Sequence, residues 1–188
     1  FPATHRETGE KVALKRIQPK FNEDGKERMR REITSLLQMD HPNVMPILEY
    51  GRDFTWYTMP FAHRTLNNLP LPISLPDLIE IIRSVACGLS VGHVQGDIHR
   101  DVTPRNIFQI DRHPNQLRWV IGDWGLVRQQ GLTGTMMTQI ESGFGTQGFA
   151  PPELWDDPHN ADVRVDIYSL GRVIAWGGND AGHSLLAG

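Results

Sequence analysis

Ile98-His99-Arg100-Asp101-Val102-Thr103-Pro104-Arg105-Asn106-Ile107 is the stretch that decides how the chain is read. It sets a carboxylate, an amide and two guanidinium groups in one short polar run between hydrophobic segments. An Asp followed five residues later by an Asn can place a base and a metal ligand on one loop, as phosphoryl transfer needs. Alone, such a run is more often a solvated turn, so the rest of the chain must supply the other parts in a workable order.

The 188 residues suffice for one large domain or two small lobes with a real core. Hydrophobic residues at 39% and charged residues at 22% are ordinary for a soluble globular protein. A net charge of -3 and a pI near 6.2 argue against nucleic acid as the main partner. No apolar run is long enough to span a bilayer and no signal-peptide pattern opens the chain, so no membrane contact is expected of this segment. The single cysteine, Cys87, excludes an internal disulfide and favours a reducing, cytoplasmic (intracellular) setting. The ends, Phe1-Pro2-Ala3 and Leu185-Leu186-Ala187-Gly188, read as those of a piece of a longer protein.

Lys11-Val12-Ala13-Leu14-Lys15-Arg16-Ile17 alternates polar and apolar residues after a turn at Thr8-Gly9-Glu10, which predicts a strand. Met29, Ile33, Leu36 and Leu37 recur at helical spacing over 26–38, and Asp40-His41-Pro42-Asn43 should stop that helix. Two short strands are predicted at 45–50 and 55–59, with a turn at Gly51-Arg52-Asp53 between them. The proline-rich run 60–72 reads as a connector between lobes. Leu78, Ile81, Ile82, Val85 and Leu89 predict a helix over 75–93, with Ser74 and Asp77 as a capping pair. A hairpin (107–110 with 117–121), a Gly/Thr-rich run (125–148) and a helix (162–176) complete the chain. The expected fold class is α+β: a small lobe of strands with one helix beside a larger, mainly helical lobe, with a cleft between.

Six features fall in one order: Val12-Ala13-Leu14-Lys15 with Glu32, His41-Pro42-Asn43, His99-Arg100-Asp101 with Asn106, Asp123-Trp124-Gly125, Pro152-Glu153, and Asp166-Ile167-Tyr168-Ser169-Leu170-Gly171. Together they resemble the eukaryotic-type protein kinases, and the resemblance runs the whole length of the chain. It implies a bilobal kinase-like fold, with 1–62 a partial small lobe and hinge and 63–188 a partial large lobe. By the same resemblance the Gly-rich loop should precede Phe1 and the last helices should follow Gly188, so the piece alone should be inactive.

The resemblance also implies roles. Lys15 neutralises the α and β phosphates of ATP, and Glu32 pairs with Lys15 to position it. Asp101 is the base for the substrate hydroxyl; Asn106 and Asp123 are the magnesium ligands. Ala13 roofs the adenine and Phe108 floors it, Met59 guards the back of the cleft, and the Pro60 carbonyl and Ala62 amide edge the base. Met59 and Phe61 are equally readable as plain core residues. Leu36, Ile47, His99 and Trp124 correspond to a hydrophobic stack anchored by Asp166, in which the Trp124 indole N–H wants a partner.

Departures from the family pattern qualify the expectation. Thr103 stands where Ser/Thr kinases place a lysine on the γ phosphate, and Arg105 is expected to take over part of that work. Pro151 replaces an alanine before Pro152-Glu153. Gly145-Thr146-Gln147-Gly148-Phe149 resembles the Ser/Thr type, in which Thr146 bonds the catalytic Asp, and this favours Ser/Thr over Tyr in protein substrates. Ser142, with Thr133, Thr135 and Thr138 nearby, falls where an activating phosphosite would lie, read by Arg28, Arg100 and Arg128. Equally, these are a polar loop and three solvated arginines. Two rivals stay open: a pseudokinase that binds nucleotide without transfer, and a small-molecule phosphotransferase on a related fold.

Overall fold

The computed structural model describes residues 1–17, 23–113, 116–125, 128–129, 145–156 and 161–179. The alternating segment forms β2 (Lys11–Arg16), flanked by β1 (Pro2–Thr4) and β4 (Trp56–Pro60), both antiparallel to it. With β3 (Glu49–Tyr50) the sheet order is β1-β2-β4-β3. The strand predicted at 45–50 is cut to its last two residues. Its first part is drawn instead to a distant hairpin, where Met45 N donates to Ile121 O at 2.9 Å and Val44 bridges Ile121 in parallel.

Helix α1 (Glu23–Gln38) begins three residues before the predicted 26 and ends ahead of Pro42. It buries Met29, Ile33 and Leu36 on one stripe and leaves Arg30 and Arg31 exposed, as its period demands. Each of those buried side chains stabilises the docked helix by about 1.5–3 kcal/mol.

The proline-rich connector carries structure of its own. β5 (Arg64–Thr65) pairs with the hairpin, and a 3-10 turn follows at Leu66–Asn68, so the crossing between the two parts is only residues 61–63. Helix α2 (Leu75–Val94) starts at Ser74, whose Oγ accepts from Asp77 N at 3.4 Å. After it come β6 (Asp97–Ile98), β7 (Ile107–His113), β8 (Gln116–Ile121) and β9 (Arg128–Gln129). They form a β5-β7-β8 sheet and a β6-β9 pair. A short α3 (Pro152–Asp156) precedes α4 (Arg164–Gly178), shifted two residues past the predicted 162–176. The described part is therefore α+β, with a small sheet and one helix first and a mainly helical part after. No helix among the described residues is long and apolar enough to cross a membrane.

One core joins the two parts, running from Ile33 and Leu36 of α1 through Val85 and Leu89 of α2 to Leu170 and Val173 of α4. Trp124, fully buried, sits in that core because α2 presents glycine to it: a Cβ at Gly92 would lie 2.5 Å from Trp124 Cη2. Inserting a methyl against an indole in a packed core costs about 1–3 kcal/mol. That exceeds the roughly 0.5–1 kcal/mol that alanine gains over glycine in a helix. Gly171 of α4 is exposed with nothing within 4 Å of such a Cβ, so only the gain applies there. Thermal unfolding of the full-length protein should therefore show Gly92→Ala melting lower than the parent and Gly171→Ala melting at the same temperature or slightly higher. Equal melting of the two variants would contradict the packing account.

Asp97 on β6 generates a pH expectation. Its side chain is buried, and its Oδ1 has no hydrogen-bond partner among the described residues. Burial pushes its carboxyl above the usual range, only partly opposed by a hydrogen bond with Ser35. The folded state thus holds this proton more tightly than the unfolded chain, whose Asp titrates near ~3.9. Stability from this group is greatest below that value, falls as pH rises to the raised folded value, and is level above it. Asp97→Asn should remove the fall, so the stability of the variant relative to the parent should grow more favourable with pH across that window. Denaturant titrations at a series of pH values check this, and a difference independent of pH would refute it.

Candidate active site

The first half of the site is built by the β2–β4 ladder and α1. Lys15 on β2 is directly opposite Tyr57 on β4, so their side chains share the sheet face that α1 covers. Lys15 Nζ donates to Glu32 Oε1 at 2.5 Å and to Asp123 Oδ1 at 2.6 Å. The predicted Lys15–Glu32 pair is present, and the turn after β8 supplies a second carboxylate to the same ammonium.

Glu32 is only 3% exposed. Burying a carboxylate costs several kcal/mol unless partners replace water. A second donor does appear: Tyr57 Oη donates to the same Glu32 Oε1 at 2.8 Å. Nothing in the sequence pointed to Tyr57, because its meeting with Glu32 depends on the rotation of α1 over the sheet.

The charges tune one another. Burial alone would lower the Lys15 pKa, but the charges of Glu32 and Asp123 and their hydrogen bonds carry it above its ordinary value. Burial alone would raise Asp123, but the Lys15 charge and hydrogen bond outweigh that and hold the carboxyl below the usual range. Burial, then the Glu32 charge and hydrogen bond, push the Tyr57 phenol well above its usual value, so it stays a donor.

The second half is organised by Asp166 at the start of α4. Its buried carboxylate accepts from His99 N at 2.9 Å and from Arg100 N at 2.8 Å, and His93 Nε2 of α2 lies 2.7 Å from Oδ2. These bonds hold Arg100 at φ 67°, a left-handed conformation that costs a non-glycine residue about 1–3 kcal/mol. The reversal turns the next residue, Asp101, out of the core to half-burial. His99 Nδ1 accepts from Asp101 N at 3.3 Å, so Nε2 carries the hydrogen given to Gly122 O at 3.0 Å.

Around Asp101 the predicted residues converge. Asn106 Nδ2 donates to Asp101 O at 2.9 Å and to Oδ2 at 2.8 Å. Thr146 Oγ donates to Asp101 Oδ1 at 2.8 Å. The Thr146 segment approaches closely because Gly145, at φ 81°, has no side chain: a Cβ there would lie 3.0 Å from Arg100 O. Arg172 of α4 fixes the far side of the segment by donating from Nε to Gly148 O at 2.7 Å, a contact that no sequence signal announced.

Metal chemistry fits the donors present. Asn106 uses its Nδ2 on Asp101, which leaves its Oδ1 as an acceptor, and Asp123 keeps a second carboxylate oxygen beyond the one bound to Lys15. Hard oxygens, few in number, suit magnesium, which takes its other ligands from water and phosphates. Among the described residues no three His, Cys, Asp or Glu side chains gather as a metal cage of their own.

Behind Lys15, Met59 is opposite Ala13 and Pro60 opposite Val12 in the β2–β4 ladder. Met59, Ala62 and Phe108 pack on Met45, Ile110 and Val120 while staying partly exposed. Met59 and Phe61 are half-buried, not full core residues, and Lys11 Nζ lies 3.7 Å from the Phe61 ring centroid. Thr103 is buried, and Arg105 is exposed on the same loop.

Of the expected stack, Leu36, His99 and Trp124 are buried, Ile47 packs on the core that holds Leu36 and Trp124, and the His99 and Trp124 rings meet edge-on at 4.7 Å. The partner expected for the Trp124 indole N–H does not appear. Its Nε1 is buried without a hydrogen bond among the described residues. Ser142, Thr133, Thr135 and Thr138 lie outside the described residues, as does the side chain of Arg128. Arg28 is half-buried on α1 and Arg100 is buried.

Comparison with known proteins gives the same answer as the geometry. The family model described as "Protein kinase domain" matches residues 1–176. The "Probable serine/threonine-protein kinase zyg-1" of Caenorhabditis briggsae is 28% identical over 178 residues, covering 92% of this chain and 24% of that protein. The "Probable serine/threonine-protein kinase PknB" of Lactococcus lactis is 28% identical over 171 residues, 87% of this chain and 26% of that protein. "Serine/threonine-protein kinase PknE" of Mycobacterium tuberculosis is 29% identical over 174 residues, 87% of this chain and 29% of that protein. The chain thus spans about a quarter of the length of these relatives. With the family model covering nearly all of a sequence whose lysine, glutamate and aspartates meet as described, the chain belongs to the protein kinase domain family.

Proposed function

We propose that the chain is the catalytic part of a kinase that moves the γ-phosphate of ATP to serine or threonine hydroxyls of protein substrates. The family works with ATP and a divalent metal. Here Asp123 and Asn106 would hold magnesium, which would neutralise charge on the phosphates. Lys15, positioned by Glu32, would bind the α and β phosphates. Ala13, Met59, Phe108, the Pro60 carbonyl and the Ala62 amide would receive the adenine. On this division residues 1–62 form the small lobe and hinge and 63–188 the large lobe, in a cytoplasmic protein.

The observation that carries the proposal is the hold on Asp101, whose two carboxylate oxygens are fixed by Asn106 Nδ2 and Thr146 Oγ at 2.8 Å each. A carboxylate so fixed can orient a substrate hydroxyl and take its proton as the oxygen attacks the γ phosphorus and ADP departs. Catalysis is then mainly positioning and electrostatics. The bond from Thr146 and the names of the relatives favour Ser/Thr over Tyr as acceptor. Ser142, read by Arg28, Arg100 and Arg128, is the activating phosphosite on the same proposal.

One observation favours a rival. Thr103 cannot give the γ phosphate the positive charge that a lysine would, as in a nucleotide-binding scaffold without transfer. Exposed Arg105 is the nearby cation on that loop and would supply part of this charge.

Assays of the full-length protein with labelled ATP and a general protein substrate should give phosphoserine or phosphothreonine. Asp101→Asn and Lys15→Met should each lower the rate by about 10²-fold or more. Transfer that persisted in Asp101→Asn, or phosphotyrosine alone, would overturn the assignment. Arg105→Ala should lower kcat, and an unchanged kcat would remove Arg105 from the site.

A further inference from the structure

We propose that Tyr57 is a positioning residue whose phenol holds Glu32, and with it α1, against the sheet independently of Lys15. The inference rests on the phosphotransfer assignment above, because the place of Lys15 matters only if it holds phosphates.

Geometry carries it. Tyr57 is directly opposite Lys15 across the β2–β4 ladder and is 1% exposed, and its ring centroid is 5.8 Å from Lys15 Nζ. Its hydroxyl donates at 2.8 Å to the Glu32 oxygen that also receives Lys15. Among the described residues Glu32 therefore has two side-chain donors rooted on neighbouring strands, and one of them is an ammonium.

That ammonium has competing work. It has three N–H donors, and Glu32 and Asp123 already engage it before any phosphate arrives. A phosphate that draws Lys15 toward itself weakens its hold on Glu32. For a carboxylate at 3% exposure the loss of a sole donor would be costly, and α1 would be released toward solvent. Tyr57 supplies a donor that does not move with Lys15. Its phenol stays protonated, since burial and the Glu32 charge push it well above its usual value. A phenylalanine would fill the same space and, among the described donors, leave Glu32 with Lys15.

The experiment uses the full-length protein and the single hydroxyl deletion Tyr57→Phe. kcat/KM for ATP should fall about 10-fold, as expected for losing a hydrogen bond to a charged group. Hydrogen exchange should quicken in the α1 peptide 29–38 and stay unchanged in the α2 peptide 78–89, which separates a released helix from a general loss of stability. In a Glu32→Ala background, where the hydroxyl has lost its acceptor, adding Tyr57→Phe should change kcat/KM by less than about 2-fold. Parental kcat/KM and α1 exchange in Tyr57→Phe would overturn the proposal. So would an equal loss in both backgrounds, which would assign the effect to ring packing. The parent protein against Asp101→Asn reads the kinase assignment separately: if the parent shows no transfer that Asp101→Asn abolishes, that assignment falls and the role of Tyr57 falls with it.

Discussion

A carboxylate removed from water needs donors, and in this chain the need of Glu32 pulls separate elements together. Its partners are Lys15 on β2 and Tyr57 on β4, and Lys15 in turn binds Asp123 beyond β8. Helix and sheet thus meet at one Glu32 oxygen, and the turn joins them through the Lys15 ammonium. The several kcal/mol that burial would cost is offset only while all of them are in place, which makes the arrangement cooperative. The apolar stripe of Met29, Ile33 and Leu36 holds α1 near the sheet. The ion pair fixes its register there.

Asp166 plays the matching part in the second half of the site. It is fully buried, takes backbone donors from two consecutive residues, and so maintains Arg100 in a conformation that would otherwise relax. Two buried carboxylates, Glu32 and Asp166, organise the site. Asp101 and Asp123, the two left partly open to solvent, are the ones chemistry would use. Asp123 has its own left-handed backbone, φ 61°, and next to it Trp124 is clamped between His99 and Gly92. An indole in that slot fills space, and its N–H has no bond among the described residues. The packing gain therefore has to exceed a penalty of about 1–3 kcal/mol for the stranded donor.

Much of this was legible along the chain. The alternation of 11–17 gave β2, the period of Met29, Ile33 and Leu36 gave α1, and that of Leu78, Ile81, Val85 and Leu89 gave α2. Residues that came together in space, such as Lys15 with Glu32 and Asp101 with Asn106 and Thr146, were marked by order and spacing within motifs. Strands β1, β5, β6 and β9 were not legible. They are two or three residues long, too short for a period to register, and exist only because distant partners pair with them.

By itself, then, the sequence determined which chemical groups this protein carries and which elements present them, because periodicity and motif spacing are local properties. The tertiary structure alone decided which groups share an atom. Tyr57 donates to Glu32, Arg172 reaches Gly148, and the six-membered ring of Trp124 packs on Gly92. Each of these meetings depends on how far one element is rotated and how closely it approaches another. That is set by the packing of the whole core, and no window of sequence contains it.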